Sequence, residues 1–173
     1  MLFRSRIPGT PVRNAARMHA LSKAPGQFWT HTNLEYRFTL NDSLGVPRRV
    51  WEGSSAWFTE ETQKGEDPLI GAVREDSRRI LWVLGRARVP GWRDRMPKPD
   101  ADGNIFLTGN PGADLRGVLD AIDLDTGAII ASVRIPNMVL SFVDDQRIAV
   151  LTETAAGISR TEIWRFSLSG FSR

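Results

Sequence analysis

The chain of 173 residues contains no cysteine, one tyrosine and two histidines. Without cysteine it can form no disulfide, has no thiol nucleophile and offers no thiolate ligand to zinc. No apolar run approaches the roughly 18 residues of a membrane-spanning helix, so no membrane span is predicted. The N-terminus carries basic residues without the apolar stretch typical of a secretory signal. These absences leave the compartment unknown.

Several catalytic signatures are missing as well. There is no glycine-rich phosphate loop, no Gly-x-Ser-x-Gly elbow and no His-Glu-x-x-His pair. The stretch that begins KPDADG is not a calcium loop, because Lys98 stands at the first ligand position and Gly109 at the twelfth, where glutamate is needed. We therefore expect no cofactor and no metal, and an enzyme is the less favoured class.

The net charge of +3 is unevenly distributed. Residues 1–25 hold five basic residues and no acid, whereas the rest of the chain holds 18 basic and 20 acidic residues. A basic start can be a transit peptide or an arm for nucleic acid, but the balance elsewhere disfavours nucleic acid as a partner. MLFRS is also what GTG-CTC-TTC-CGA-TCT encodes, which matches the end of a sequencing adapter. Our hypothesis is that residues 1–5 come from adapter sequence and that the N-terminal flank, residues 1–14, is artefactual; the alternative is a natural arginine-rich start.

The sequence does contain a pattern of short apolar runs that is typical of β-strands. Short runs rich in Val, Ile, Trp and Phe, several alternating with polar residues, are separated by polar or glycine-containing breaks. The predicted strands are 18–22, 27–32, 35–40, 48–52, 70–76, 80–85, 119–124, 128–135, 139–145, 147–153 and 162–168. No window sustains a helical period with caps at both ends. The chain is predicted to be all-β.

These runs repeat in a fixed order. VREDSRRILWVLGR (73–86) aligns with FVDDQRIAVLTET (142–154), and a third strand then leads to a turn with Gly45, Gly127 or Gly170. In LDAIDLDTGAIIASVRIP (119–136) the Asp-Thr-Gly is a hairpin turn, where Asp caps the backbone and Gly takes positive φ. Three antiparallel sheets are predicted, over about 17–52, 70–136 and 139–168. The last lacks its outermost strand.

ILWVLGR (80–86), DAIDLDTG (120–127) and TEIWRFSL (161–168) resemble the six-bladed β-propeller proteins of bacteria, in the NHL/YVTN-like group. The resemblance implies a partial β-propeller over residues 15–173, cut from the C-terminal part of a longer ring. In that family an N-terminal strand completes the last blade, and full-length members are often exported. A partial ring has unpaired strand edges, so self-association through them is expected.

The expected function is a binding or interaction scaffold for an unidentified protein, peptide or small ligand. The long segment 86–117 is typical of functional loops. In it, Trp92 flanked by Arg93 and Arg95 could hold a carboxylate, phosphate or sugar, although Trp92 packed on the blade is an open alternative. His31 and Trp57 are expected on the same loop face, where a structural role for His31 also stays open.

The alternative function is a propeller hydrolase or lactonase with a central divalent metal. Its ligands would be acids of the innermost strands, Glu75, Asp76, Asp144 and Asp145, but these acids could equally cap the strand turns. The tryptophans are mostly predicted to be core residues. Trp29 and Trp82 occupy equivalent second-strand positions and are predicted to pack between sheets.

Overall fold

A computed structural model describes residues 17–64, 66, 68–95 and 114–169. The described residues form the strands β1 (Arg17–Leu21), β2 (Gln27–Thr32), β3 (Arg37–Asp42), β4 (Pro47–Glu52), β5 (Leu69–Glu75), β6 (Ile80–Arg88), β7 (Leu115–Asp123), β8 (Ile129–Ile135), β9 (Met138–Phe142), β10 (Arg147–Glu153) and β11 (Ser159–Arg165). They also form the helices α1 (Ala56–Gln63) and α2 (Trp92–Arg95). Among these residues no helix has the length and apolar character needed to cross a membrane.

The strands form three antiparallel sheets in which each strand pairs with its neighbour along the chain. The first sheet is β1-β2-β3-β4, the second is β5-β6-β7-β8, and the third is β9-β10-β11. None closes into a barrel. The all-β fold class is therefore confirmed, with two four-stranded sheets followed by a three-stranded one.

Helix α1, in the connection between the first and second sheets, was not predicted. It is only eight residues long, and its buried positions are Trp57 and Glu61, four residues apart and on one side of the helix. Glu61 pairs with the guanidinium groups of Arg116 and Arg134 at 3.3 and 3.5 Å. A helix this short, with one apolar and one acidic buried position, has no apolar periodicity to detect.

The second sheet lies between the other two and is buried on both faces. On β6, Leu81 and Val83 face the first sheet, whereas Trp82 and Leu84 face the third. Successive side chains of a strand point to opposite faces, so a strand covered on both sides reads as a continuous apolar run. This explains why ILWVLG shows no alternation.

Trp29 and Trp82 pack between sheets, as predicted. Trp29 is buried between the first and second sheets, and Trp82 is buried between the second and third. The Trp82 ring meets Phe166 edge to face, with ring centroids 4.7 Å apart. Each tryptophan also donates its Nε1 hydrogen to a carboxylate at the end of β5, namely Glu75 at 2.9 Å and Asp76 at 3.1 Å.

The hairpin interpretation of the Asp/Gly turns is confirmed. Gly127 has φ +74° and Gly45 has φ +79°, a conformation that favours glycine. Asp123 Oδ1 accepts the Asp125 N–H at 2.9 Å, and Asp42 Oδ1 accepts backbone N–H groups of its own turn. Gly170 lies outside the described residues.

The two ends of the sheets differ. We call the end that holds the β1–β2, β5–β6 and β9–β10 turns the turn end, and the end that holds the β2–β3 and β6–β7 connections the loop end. Ser22 and Glu75 meet at the turn end, with Oγ and Oε2 2.6 Å apart, and the Ile70 N–H donates to the Asn33 carbonyl at the loop end at 2.9 Å. The first strands of the three sheets, β1, β5 and β9, contact one another in sequence.

Candidate binding site at the turn end

Trp92 lies in the connection at the loop end, at the first position of α2. Its Nε1 donates to Glu66 Oε2 at 2.5 Å, and the Arg88 guanidinium lies 4.2 Å from a ring centroid. Both the edge and a face of the indole therefore contact the protein itself. The side chains of Arg93 and Arg95 and the rest of the predicted loop, 96–113, lie outside the described residues.

His31 and Trp57 lie in the interior. His31 is 4% exposed, with Nδ1 3.1 Å from the Thr32 carbonyl oxygen, and burial lowers the pKa of its imidazole. Trp57 is 3% exposed and donates to Asp120 Oδ2 at 2.7 Å. It also covers Gly85, where an added Cβ would come within 2.3 Å of the indole. Trp57 is thus a core residue, and no described contact joins it to His31 or Trp92.

The acids at the ends of the inner strands have structural partners. Glu75 is buried and accepts hydrogen bonds from Ser22 and Trp29, which links the second sheet to the first. Asp76 Oδ1 accepts the N–H groups of Arg78 and Ile80, at 2.8 and 3.1 Å. Asp144 Oδ1 accepts the N–H of Gln146 at 2.9 Å. The turn-capping interpretation is therefore confirmed for Asp76 and Asp144.

Asp145 connects all three sheets. Its Oδ2 lies 2.8 Å from Lys23 Nζ, beyond β1, and its Oδ1 lies 2.6 Å from Arg74 Nε, on β5. The hydrogen bond from Lys23, followed by that from Arg74, holds the pKa of the Asp145 carboxyl below its usual value. One carboxylate from the third sheet thus holds one cation from each of the other two.

A cleft of about 740 Å³ opens between the second and third sheets at the turn end. We call it the turn-end cleft, and its lining residues are Arg74, Asp76, Ser77, Arg78, Trp82, Asp144, Asp145, Gln146, Arg147, Arg165, Phe166 and Ser167. The packed rings of Trp82 and Phe166 are its aromatic part. Serine hydroxyls and a glutamine amide provide further hydrogen-bonding groups.

The charges in this cleft do not cancel. Arg78 donates to Asp76 through Nε and Nη2, and Arg147 donates to Asp144 through the same two nitrogens. Arg74 is held by Asp145. Arg165 is exposed and has no ion-pair partner among the described residues. Four guanidinium groups face three carboxylates, which leaves the lining with a surplus positive charge.

Comparison of the chain with protein-family models, with curated proteins and with solved structures found no match. Sequence reasoning missed Lys23, which binds Asp145, and Arg165, which lines the turn-end cleft. Lys23 lies in the turn between β1 and β2, and Arg165 is the last residue of β11, so only strand register and sheet stacking bring them to the same end of the sheets.

Proposed function

We propose that the chain is part of a β-propeller-type scaffold of six blades that acts by binding and not by catalysis. Face-to-face stacking of sheets that follow one another along the chain supports this proposal, as does the meeting of β1, β5 and β9 along one line. The three-stranded third sheet, which has β11 at its edge, supports a ring that continues beyond these sheets.

The main support for the proposal is that the acids at the ends of the inner strands already have structural hydrogen-bond partners. Glu75, Asp76, Asp144 and Asp145 all accept hydrogen bonds from turns, tryptophans or cations of neighbouring sheets. A catalytic divalent ion needs several carboxylate oxygens that are free to turn toward it. Glu75 and Asp145 are bound to groups of neighbouring sheets and hold the sheets together, whereas Asp76 and Asp144 cap the turns of their own sheets.

The alternative of a metal-dependent hydrolase or lactonase receives no specific support. Within the ranges that the structure describes, no group of three or more His, Asp or Glu side chains is placed to hold a metal ion. The nearest set, around Asp145, is occupied by Lys23 and Arg74. A cation bound there would have to displace both.

Thermal unfolding with and without divalent cations tests the scaffold proposal. A metal that binds only the folded chain raises its Tm in a saturable way. We expect Ca²⁺, Mg²⁺ and Zn²⁺ to leave the Tm at its value in EDTA, and we expect no hydrolysis of simple lactones or esters. A saturable rise in Tm together with metal-dependent hydrolysis would overturn the proposal in favour of the alternative.

The part of the proposal that concerns the ring has its own test. β11 is an edge strand, and exposed edges pair with other chains. We expect the apparent mass in light scattering to rise with protein concentration. Thr161→Pro on β11 should reduce that rise, because the alternation of the antiparallel ladder turns the Thr161 N–H away from β10 toward the open edge, and proline removes that donor. A chain that stays monomeric at all concentrations would contradict an open ring.

A further inference from the structure

We propose that the turn-end cleft binds a phosphate-type oxyanion at its third-sheet rim, with Arg165 as its principal ligand and Arg147 as a supporting donor. This inference rests on the proposed scaffold function and names a ligand class for it. All lining residues of the cleft belong to the second and third sheets and their adjoining segments, so the proposed site does not depend on further blades.

The register of the third sheet brings two arginines together. Arg147 on β10 stands directly opposite Arg165 on β11. Like charges directly opposite each other on neighbouring antiparallel strands are destabilising. Asp144 compensates Arg147, but among the described residues no carboxylate compensates Arg165. A bound anion between the two guanidinium groups would relieve this repulsion.

Two arginines of the lining other than Arg165 are held in place by aspartates. Arg78 and Arg147 each use Nε and Nη2 for a capping aspartate, so the carboxylates fix both side chains, and neither Nη1 has a described partner. Guanidinium groups held in place lose little conformational freedom when a ligand arrives. Arg147 is thus already positioned opposite Arg165, and Arg78 adds a fixed positive charge to the lining of the cleft.

The several oxygens of a phosphate group suit a site with more than one guanidinium donor. A phosphate group has three or four oxygens and can accept paired N–H groups from more than one guanidinium at once, whereas a chloride ion cannot. Ser77, Ser167 and the Gln146 amide can donate to the remaining oxygens. The surplus positive charge of the lining favours an anion over a neutral ligand.

Titration with inorganic phosphate, followed by isothermal calorimetry at constant ionic strength, tests the proposal. We expect saturable binding with a Kd on the order of 1 mM. Arg165→Gln should weaken it about tenfold, the loss typical of one charge-assisted contact. Arg165→Lys should weaken it less, because the charge remains while the paired geometry is lost.

Arg160→Gln is the matched control. Arg160 lies on the same strand, is exposed and pairs with Glu162 instead of lining the cleft. We expect the Arg160→Gln variant to bind phosphate with the same affinity as the parent chain. Equal weakening by Arg160→Gln and Arg165→Gln would show non-specific attraction and overturn the proposal, as would the absence of saturable binding. Thermal unfolding of each variant confirms that the chain is folded.

A second titration with glycerol phosphate distinguishes the source of the anion. Tighter binding than inorganic phosphate indicates a phosphate ester of a larger molecule, and equal binding indicates the free ion. Both outcomes support the site. Failure of phosphate binding would leave the scaffold proposal standing, because that proposal is tested by divalent cations and hydrolysis.

Discussion

The interface between the first and second sheets is built differently from the interface between the second and third. The first is aromatic, and its rings are Trp29, Tyr36, Phe38, Trp51 and Trp57. The second is mainly aliphatic, with Ile80, Leu84, Val139, Ile148 and Val150 at its centre. The two interfaces thus bury different kinds of side chain, although the strands of all three sheets follow the same order.

The aromatic interface also contains a buried carboxylate. Asp120 is 0% exposed, and its Oδ2 accepts hydrogen bonds from Tyr36 at 2.5 Å and Trp57 at 2.7 Å, while its Oδ1 has no partner. Burial, followed by the Asp120 charge, raises the pKa of the Tyr36 hydroxyl. Large rings that carry N–H and O–H groups require an acceptor inside the core, and aliphatic side chains do not. The second interface has one such pair, Trp82 and Asp76, but Asp76 also accepts the N–H groups of Arg78 and Ile80. The interfaces therefore differ in how fully the buried carboxylate is satisfied as well as in ring content.

The largest expected effect on this comparison comes from Trp57→Ala. The change removes the indole that covers Gly85 and leaves Asp120 with one donor fewer. We expect a loss of about 3–5 kcal/mol in the free energy of unfolding, measured by urea denaturation. Ile148→Val in the aliphatic interface should cost only about 0.5–1.5 kcal/mol. Similar losses for the two variants would contradict a Trp57-centred interface.

A smaller effect isolates the hydrogen bond. Trp57→Phe and Trp82→Phe remove the same N–H, but Asp76 keeps its contacts with Arg78 and Ile80, whereas Asp120 keeps only the Tyr36 hydroxyl. Trp57→Phe should therefore cost about 1–3 kcal/mol more than Trp82→Phe, the penalty of an unsatisfied buried group. Equal costs in urea denaturation would show that the two carboxylates are equally well satisfied.

The smallest effect is a pH dependence confined to the aromatic side. His31 lies beside Phe38, and burial lowers its pKa from 6.5, so the unfolded chain binds a proton that the folded chain resists. Stability should therefore fall as the pH drops below 6.5, by at most about 1.4 kcal/mol per pH unit.

His31→Asn should remove this dependence, measured as unfolding free energy between pH 7 and pH 5. His19→Asn is the control, because His19 is the only other histidine of the chain. Persistence of the slope in His31→Asn, or its loss in His19→Asn, would show that His31 is not the group responsible.

Strands were predictable from this sequence because their signal is local. All eleven predicted runs overlap observed strands, and β2 and β10 have the predicted bounds. Alternating apolar residues and turn glycines reflect the pleat and the turn geometry of each strand separately. The predicted membership of a six-bladed propeller family stays a prediction.

The candidate site was less predictable because it depends on long-range contacts. Asp120 and Asp123 both occur in LDAIDLD, yet one is buried under Trp57 and the other caps a turn. The local pattern places Asp123 at the turn, but it does not show that Asp120 is buried and accepts a hydrogen bond from Trp57. The opposition of Arg147 and Arg165 likewise follows from strand register. Trp57 was expected on the loop face because helix α1, in which it is buried, was not predicted.

Zero-length carbodiimide cross-linking tests most directly whether the three sheets meet along one line. Lys23 and Asp145 are 122 positions apart in the chain and their charged atoms are 2.8 Å apart. We expect mass spectrometry to find an amide between them in the folded chain and not in urea. The Lys64–Glu60 pair, at 2.6 Å within one segment, is the positive control. A folded chain that links Lys64 to Glu60 but never Lys23 to Asp145 would contradict the stacked, converging sheets.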